Sequence, residues 1–224
     1  MAEFPTTRLS LVLAAADSDD ALAELLRIYW HPLYAFLRRQ GQDHDRAQDL
    51  TQGFVAHLLG KGALREFRGE RGRFRSFLLA SLKNFLANER DRAAAQKRGG
   101  GVIASPLDSG VEPHDDRTPE KLFEKQWALA VLDRVQARLR EEFAQAGKRE
   151  LFDRLRAYLT GDDIGMPYRE LGRELGLSEG AVKVTIHRLR RRFHEVLRDE
   201  ISLTVTRPGD IGDEIRYLIA AIRG

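Results

Sequence analysis

Apolar residues recur at helical spacing along most of this chain, and no strand signal is strong. The sharpest case is Val182, Ile186, Leu189 and Phe193, at i, i+4, i+7 and i+11, which predicts one apolar stripe on a helix. A shorter helix is expected just before it, from Tyr168 to about Leu175. Gly176 then suits a left-handed turn, because it has no Cβ. Leu177 is expected to plug the angle between the two helices. Ser178 is a good N-cap, and Glu179 puts negative charge on the first turn of the second helix. Gly172 is small enough to let the pair approach closely. Together these features form the helix-turn-helix pattern.

The remaining elements follow from the same reasoning. Residues 1–40 predict two helical pieces. Leu9–Ala16 is the buried part of the first rather than a signal core. An Asp17-Ser18-Asp19-Asp20 capping cluster precedes Leu22, Leu25, Leu26, Tyr29 and Leu33; Pro32 is expected to kink or break that helix, and Gly41 to end it. Asp43–Leu59 is the next helix, buried through Ala47, Leu50, Phe54 and Leu58. A long helix from about Arg73 carries Phe74, Phe77, Leu78, Leu82 and Phe85 into a core. Another begins at Thr118-Pro119-Glu120, with Trp127, Leu129, Val131, Leu132, Val135 and Leu139 towards one side. Leu151 to Leu159 makes a further helix, ended by Gly161-Asp162-Asp163. After Pro208-Gly209, Asp213–Ile222 is a last amphipathic helix whose docking place is not legible. Glycine and proline cluster at 99–119 and 207–212. The expected fold is all-α: two small helical domains, 1–98 and 120–202, joined by a flexible acidic linker at 99–119, with an extension at 203–224.

Charge sharpens this picture. The net charge is only +3, but residues 61–99 are strongly basic. They include a glycine-bounded loop in which Phe67 stands beside Arg68 and Arg71. Such a phenylalanine is either a stacking wall for an unpaired base beside phosphate-binding charge, or a plug for the core. On the predicted second helix, Gly180, Lys183, Val184, His187, Arg188 and Arg191 face away from the apolar stripe, and this face is expected to hold no carboxylate. A helix that enters a DNA groove meets base edges with its first residues and phosphates with later arginines. The acidic linker is a spacer or a nucleic-acid mimic. The absence of cysteine excludes disulfides and thiolate metal sites, and fits the cytoplasm. No run is apolar enough to predict membrane insertion. The six histidines are scattered, and no grouping predicts a catalytic site, a metal site or a cofactor.

Three stretches, taken in order, resemble the bacterial RNA polymerase sigma factors of the two-domain, extracytoplasmic-function type. Ala47-Gln48-Asp49-Leu50-Thr51-Gln52-Gly53-Phe54 is similar to the family's polymerase-clamp helix. Phe67-Arg68-Gly69 with Phe77-Leu78 and Lys83-Asn84 is similar to the segment that captures the −10 element. Tyr168–Phe193 is similar to the −35 reader. The resemblance implies that Asp49 and Gln52 face core RNA polymerase. It gives Phe67 and Asn84 a flipped promoter base, with Arg68, Arg75 and Lys83 supporting the DNA strand. Gly180, Lys183, Val184 and His187 would lie along the −35 groove, with Arg188 and Arg191 on phosphates. Core RNA polymerase and promoter DNA are thus the implied partners, with no enzymatic activity of the chain's own. Gln48 and Gly53 stand where the family commonly has glutamate, so phosphorylation of Thr51 is an expected means of restoring charge. Control by an anti-sigma factor or a Ser/Thr kinase stays open, as does the alternative of a stand-alone helix-turn-helix regulator of duplex operator DNA.

Overall fold

The computed structural model describes residues 19–60, 73–98, 118–159, 166–205 and 207–223. Every regular element among them is a helix, so the all-α expectation holds there. The elements are α1 (Asp19–Arg39), α2 (His44–Gly60), α3 (Phe74–Arg98), α4 (Pro119–Gln145), α5 (Arg149–Leu155), α6 (Tyr168–Leu175), α7 (Glu179–Ser202) and α8 (Ile211–Arg223). Short 3-10 turns cover Arg156–Leu159 and Pro208–Asp210. The expected early helix at Leu9–Ala16, residues 99–117 of the expected 99–119 linker and the Gly161-Asp162-Asp163 stop lie outside the described residues, and Pro119, expected in the linker, already belongs to α4.

By its internal contacts the chain forms two compact units. One joins residues 1–130 with 202–224; the other is 131–201. The dividing point falls inside α4, and α8 belongs with the first unit although it comes last in the chain.

In the first unit, α1 buries Ile28, Tyr29, Leu33, Phe36 and Leu37. Pro32 neither breaks it nor ends it: the helix continues through to Arg39. Gly41, at φ +83°, closes it. The Gln42 N–H bonds the Leu37 carbonyl (3.2 Å) and the Gly41 N–H that of Arg38 (3.1 Å), which satisfies carbonyls the helix end leaves open. Asp43 caps α2 by accepting the Arg46 N–H at 2.8 Å. Ala47, Leu50, Phe54 and Leu58 are buried as their spacing predicts. Phe54 meets the Phe85 ring of α3, centroids 5.7 Å apart. A Cβ at Gly53 would touch that ring at 3.4 Å, a packing reason for a small residue there.

The second unit is built on Val131, Val135, Leu139, Phe152, Leu155, Tyr158, Leu171, Val182, Ile186, Leu189, Val196, Leu197 and Ile201. In α4, Leu129 is exposed and off the buried stripe, contrary to its expected place. Phe193, expected on the stripe of α7, is only half-buried. Polar ties complete the unit. Arg192 clasps Glu142 with two hydrogen bonds, 2.9 and 2.8 Å. Arg140 does the same to Asp153, at 2.9 and 3.2 Å. Arg190 donates to the Tyr158 carbonyl (2.8 Å), and the Tyr158 hydroxyl to that of Met166 (2.6 Å).

Candidate nucleic-acid interface

Helices α6 and α7 are joined by three residues, Gly176-Leu177-Ser178. Gly176 sits at φ +65°, in the left-handed region that an L side chain rarely adopts. Its N–H bonds the Arg173 carbonyl at 3.4 Å, and the Leu177 N–H bonds that of Gly172 at 2.8 Å. Ser178 Oγ then accepts the Ala181 N–H at 3.1 Å and caps α7. A Cβ on Gly172 would stand 2.6 Å from the Leu177 carbonyl oxygen and 3.5 Å from Val182. The close approach is real, but Leu177 is 37% exposed. Its side chain is therefore only partly covered, whereas Leu171, Val182 and Ile186 are buried, and its backbone makes the close contact with Gly172.

The expected groove-facing residues of α7 share one solvent-facing surface. Gly180, Lys183, Val184, His187, Arg188 and Arg191 are all exposed, Val184 at 50%. Contrary to the sequence expectation, that surface is not free of carboxylate. Glu179 pairs with Lys183 at 2.8 Å, and Glu195 lies 3.6 Å from Arg191, each four residues along the helix. The Lys183 bond holds the Glu179 carboxyl below its ordinary value. Both pairs are open to water, so a phosphate or a base edge can replace either carboxylate cheaply. Arg190 and Arg192, by contrast, are spent on Tyr158 and Glu142. The arginine run of α7 therefore divides into residues that hold the fold and residues that face solvent.

The residues assigned to the −10 element are placed differently. Phe67 and Arg68 lie outside the described residues. Asn84 is exposed on α3. Lys83 is exposed too, but pairs with Glu120 of α4 at 2.7 Å, and this bond holds the Glu120 carboxyl low. Arg75 is buried at 4% exposure, where it pairs with Glu214 of α8, itself 1% exposed. Its guanidinium also lies 4.8 Å from the Trp127 ring and 3.9 Å from that of Tyr217. Arg75 thus faces a protein carboxylate rather than solvent. Arg73, which sequence reasoning did not single out, shares Glu214 at 2.7 Å. Burial pushes the nearby Tyr29 hydroxyl up, so it stays protonated. The one signal that could have found this cluster is Glu214 itself, a carboxylate one turn before Leu218 on the apolar side of α8.

On α2, Gln48, Asp49 and Gln52 are exposed together. Thr51 is not among them: it is fully buried, and its hydroxyl donates to the Ala47 carbonyl at 2.7 Å. A kinase has no access to that hydroxyl while α2 is packed. Among the described residues, no group of three or more histidines or carboxylates could hold a metal ion, and no helix is long and apolar enough to cross a membrane. Comparison with known proteins finds no matching family model, no matching curated protein and no matching solved structure.

Proposed function

We propose that this chain is a promoter-specificity subunit of the two-domain, extracytoplasmic-function sigma type. In this reading it works in the cytoplasm, binds core RNA polymerase through Asp49 and Gln52 of α2, and reads duplex promoter DNA with α7. The single observation that carries the proposal is the pairing of α6 and α7 across a left-handed glycine, with Lys183, Val184, His187, Arg188 and Arg191 on the open side of α7. The first residues of that row are suited to base edges and the later arginines to phosphates. Residues of the basic stretch around α3 then meet DNA as it opens. Run-off transcription with core RNA polymerase and a random promoter library tests this. The expected result is enrichment of one promoter class, lost when Asp49→Lys is introduced on the polymerase-facing side. A chain that neither associates with core polymerase nor selects promoters sinks the reading.

The engagement of Arg75 and Lys83 by Glu214 and Glu120 favours a second reading. In it, the first unit senses or dimerises, and α7 alone binds an operator. That protein would bind duplex DNA tightly without polymerase, losing affinity by about 10³-fold or more over a modest salt rise if many phosphates are contacted.

A further inference from the structure

Helix α8 is held more by polar contacts than by apolar burial. Its only fully buried residues are Glu214 and Leu218, one turn apart. Ile219 is exposed, and Ile211, Ile215 and Ile222 are half-buried. What α8 brings to α3 is chemically specific: a carboxylate set on Arg73 and Arg75, and an aromatic ring 3.9 Å from the Arg75 guanidinium and 5.2 Å from that of Arg73. An anion and a π face are also what a nucleotide offers to arginine. The two guanidiniums share Glu214, and Glu124 of α4 stands at the Tyr217 hydroxyl, so displacement of α8 leaves two cations with one nearby carboxylate, an excess that a phosphate chain can neutralise.

We infer that α8 is an internal competitor for single-stranded nucleic acid at Arg73 and Arg75, with Glu214 in the place of a phosphate and Tyr217 in that of a base. The inference rests on the proposed reading in one respect, that the α3 region meets unpaired DNA, and adds that the chain masks this site itself. Binding exchanges one set of ion pairs for another, and the release of counterions from the incoming strand drives it. With Leu218 its one fully buried apolar side chain, α8 has little apolar burial to lose on opening, and the incoming strand replaces its ion pairs.

The test uses the full chain and a fluorescent single-stranded oligonucleotide, with anisotropy read over a salt series. Leu218→Asp puts a charge at the buried anchor and leaves Arg73, Arg75, Glu214 and Tyr217 unchanged. Glu214→Gln removes the competing charge. Both variants are expected to bind on the order of 10-fold tighter, with a salt slope steeper by about 1.4, the share of two single-strand phosphates. Adding Arg75→Ala should abolish the gain. Folded variants with unchanged affinity and slope overturn the inference, as does a gain that survives Arg75→Ala. Should either variant fail to fold, hydrogen exchange on the unaltered chain decides: saturating oligonucleotide must speed amide exchange across 211–223, and unchanged exchange there overturns the inference. The outcome is separable from the transcription test. A gain in strand binding by a chain that ignores polymerase sinks the sigma reading alone, and polymerase binding with an unmoved salt slope sinks this inference alone.

Discussion

Gly172→Ala puts the helix pair under a measurable strain. The added methyl would stand 2.6 Å from the Leu177 carbonyl oxygen, a backbone atom that cannot rotate away. That carbonyl belongs to a residue whose own N–H is held by Gly172 at 2.8 Å, so relief requires the whole turn to shift. Overpacking of this kind costs about 1–3 kcal/mol, and a backbone contact this short argues for the upper half of that range. Alanine regains about 1 kcal/mol of helix propensity over glycine. The net expectation is a loss of about 1–2 kcal/mol. Two other glycines calibrate it. At Gly180 a Cβ would come no closer than 4.0 Å, to Ser178 Oγ, so Gly180→Ala should stabilise by up to about 1 kcal/mol. At Gly176 a Cβ meets no atom, but φ is +65°, so Gly176→Ala should cost about 1 kcal/mol through the backbone alone. The assay is hydrogen exchange of the α6 and α7 amides, which reports on this unit even if the two units do not melt together. If Gly172→Ala protected those amides as well as Gly180→Ala does, the claim that α6 and α7 require a bare Cα at 172 would be wrong.

Three further outcomes are expected. Lys183→Ala should change which duplex sequences are preferred, while Arg188→Ala should weaken all of them alike; binding selection on a randomised duplex separates the two, and identical profiles would refute the assigned facing of α7. Arg192 holds the Glu142 carboxyl below its ordinary value of 4.5, so this pair stabilises above that pH and is lost as pH falls through the lowered value. Both groups are partly exposed, so the contribution is about 1 kcal/mol or less: Glu142→Gln should melt lower than the unaltered chain near pH 7, the gap should shrink as pH is taken down below 4.5, and a gap undiminished in acid would refute the assignment. Thr51→Val should cost about 1 kcal/mol through one lost hydrogen bond, and Thr51→Glu about 3 kcal/mol or more, because it buries a charge; a Thr51→Glu chain as stable as the original would show that the side chain is not enclosed.

The turn between α6 and α7 was legible because its signals are local. Gly176, Ser178 and the apolar spacing act over a few residues, and the bounds of α6 and the start of α7 came out as expected. The exposure of Leu177 was not legible, since hydrophobicity alone does not say how far a turn residue is covered. Counting cations misjudged α7 in a similar way. Whether an arginine is free depends on Glu142 and Tyr158, which lie far from it in sequence. The fate of Arg75 was further out of reach, because its carboxylate partner is 139 residues away and α8 gave no sign of where it docks. Pro32 shows the limit of a propensity rule: α1 continues through it while Ile28, Leu33, Phe36 and Leu37 are all buried, so packing outweighs one lost backbone bond.

The first unit is closed by residues from both sides of the second, and this orders its completion during synthesis. A ribosome delivers α1, α2, α3 and the start of α4 early, but Arg75 and Trp127 have no Glu214 or Tyr217 to rest against until 207–223 emerge. The contiguous 131–201 unit needs no such wait and can consolidate first. The nascent chain therefore carries an uncovered arginine–tryptophan surface from the synthesis of Trp127 until α8 is made, and a frameshift shortly before α8 would make that state permanent.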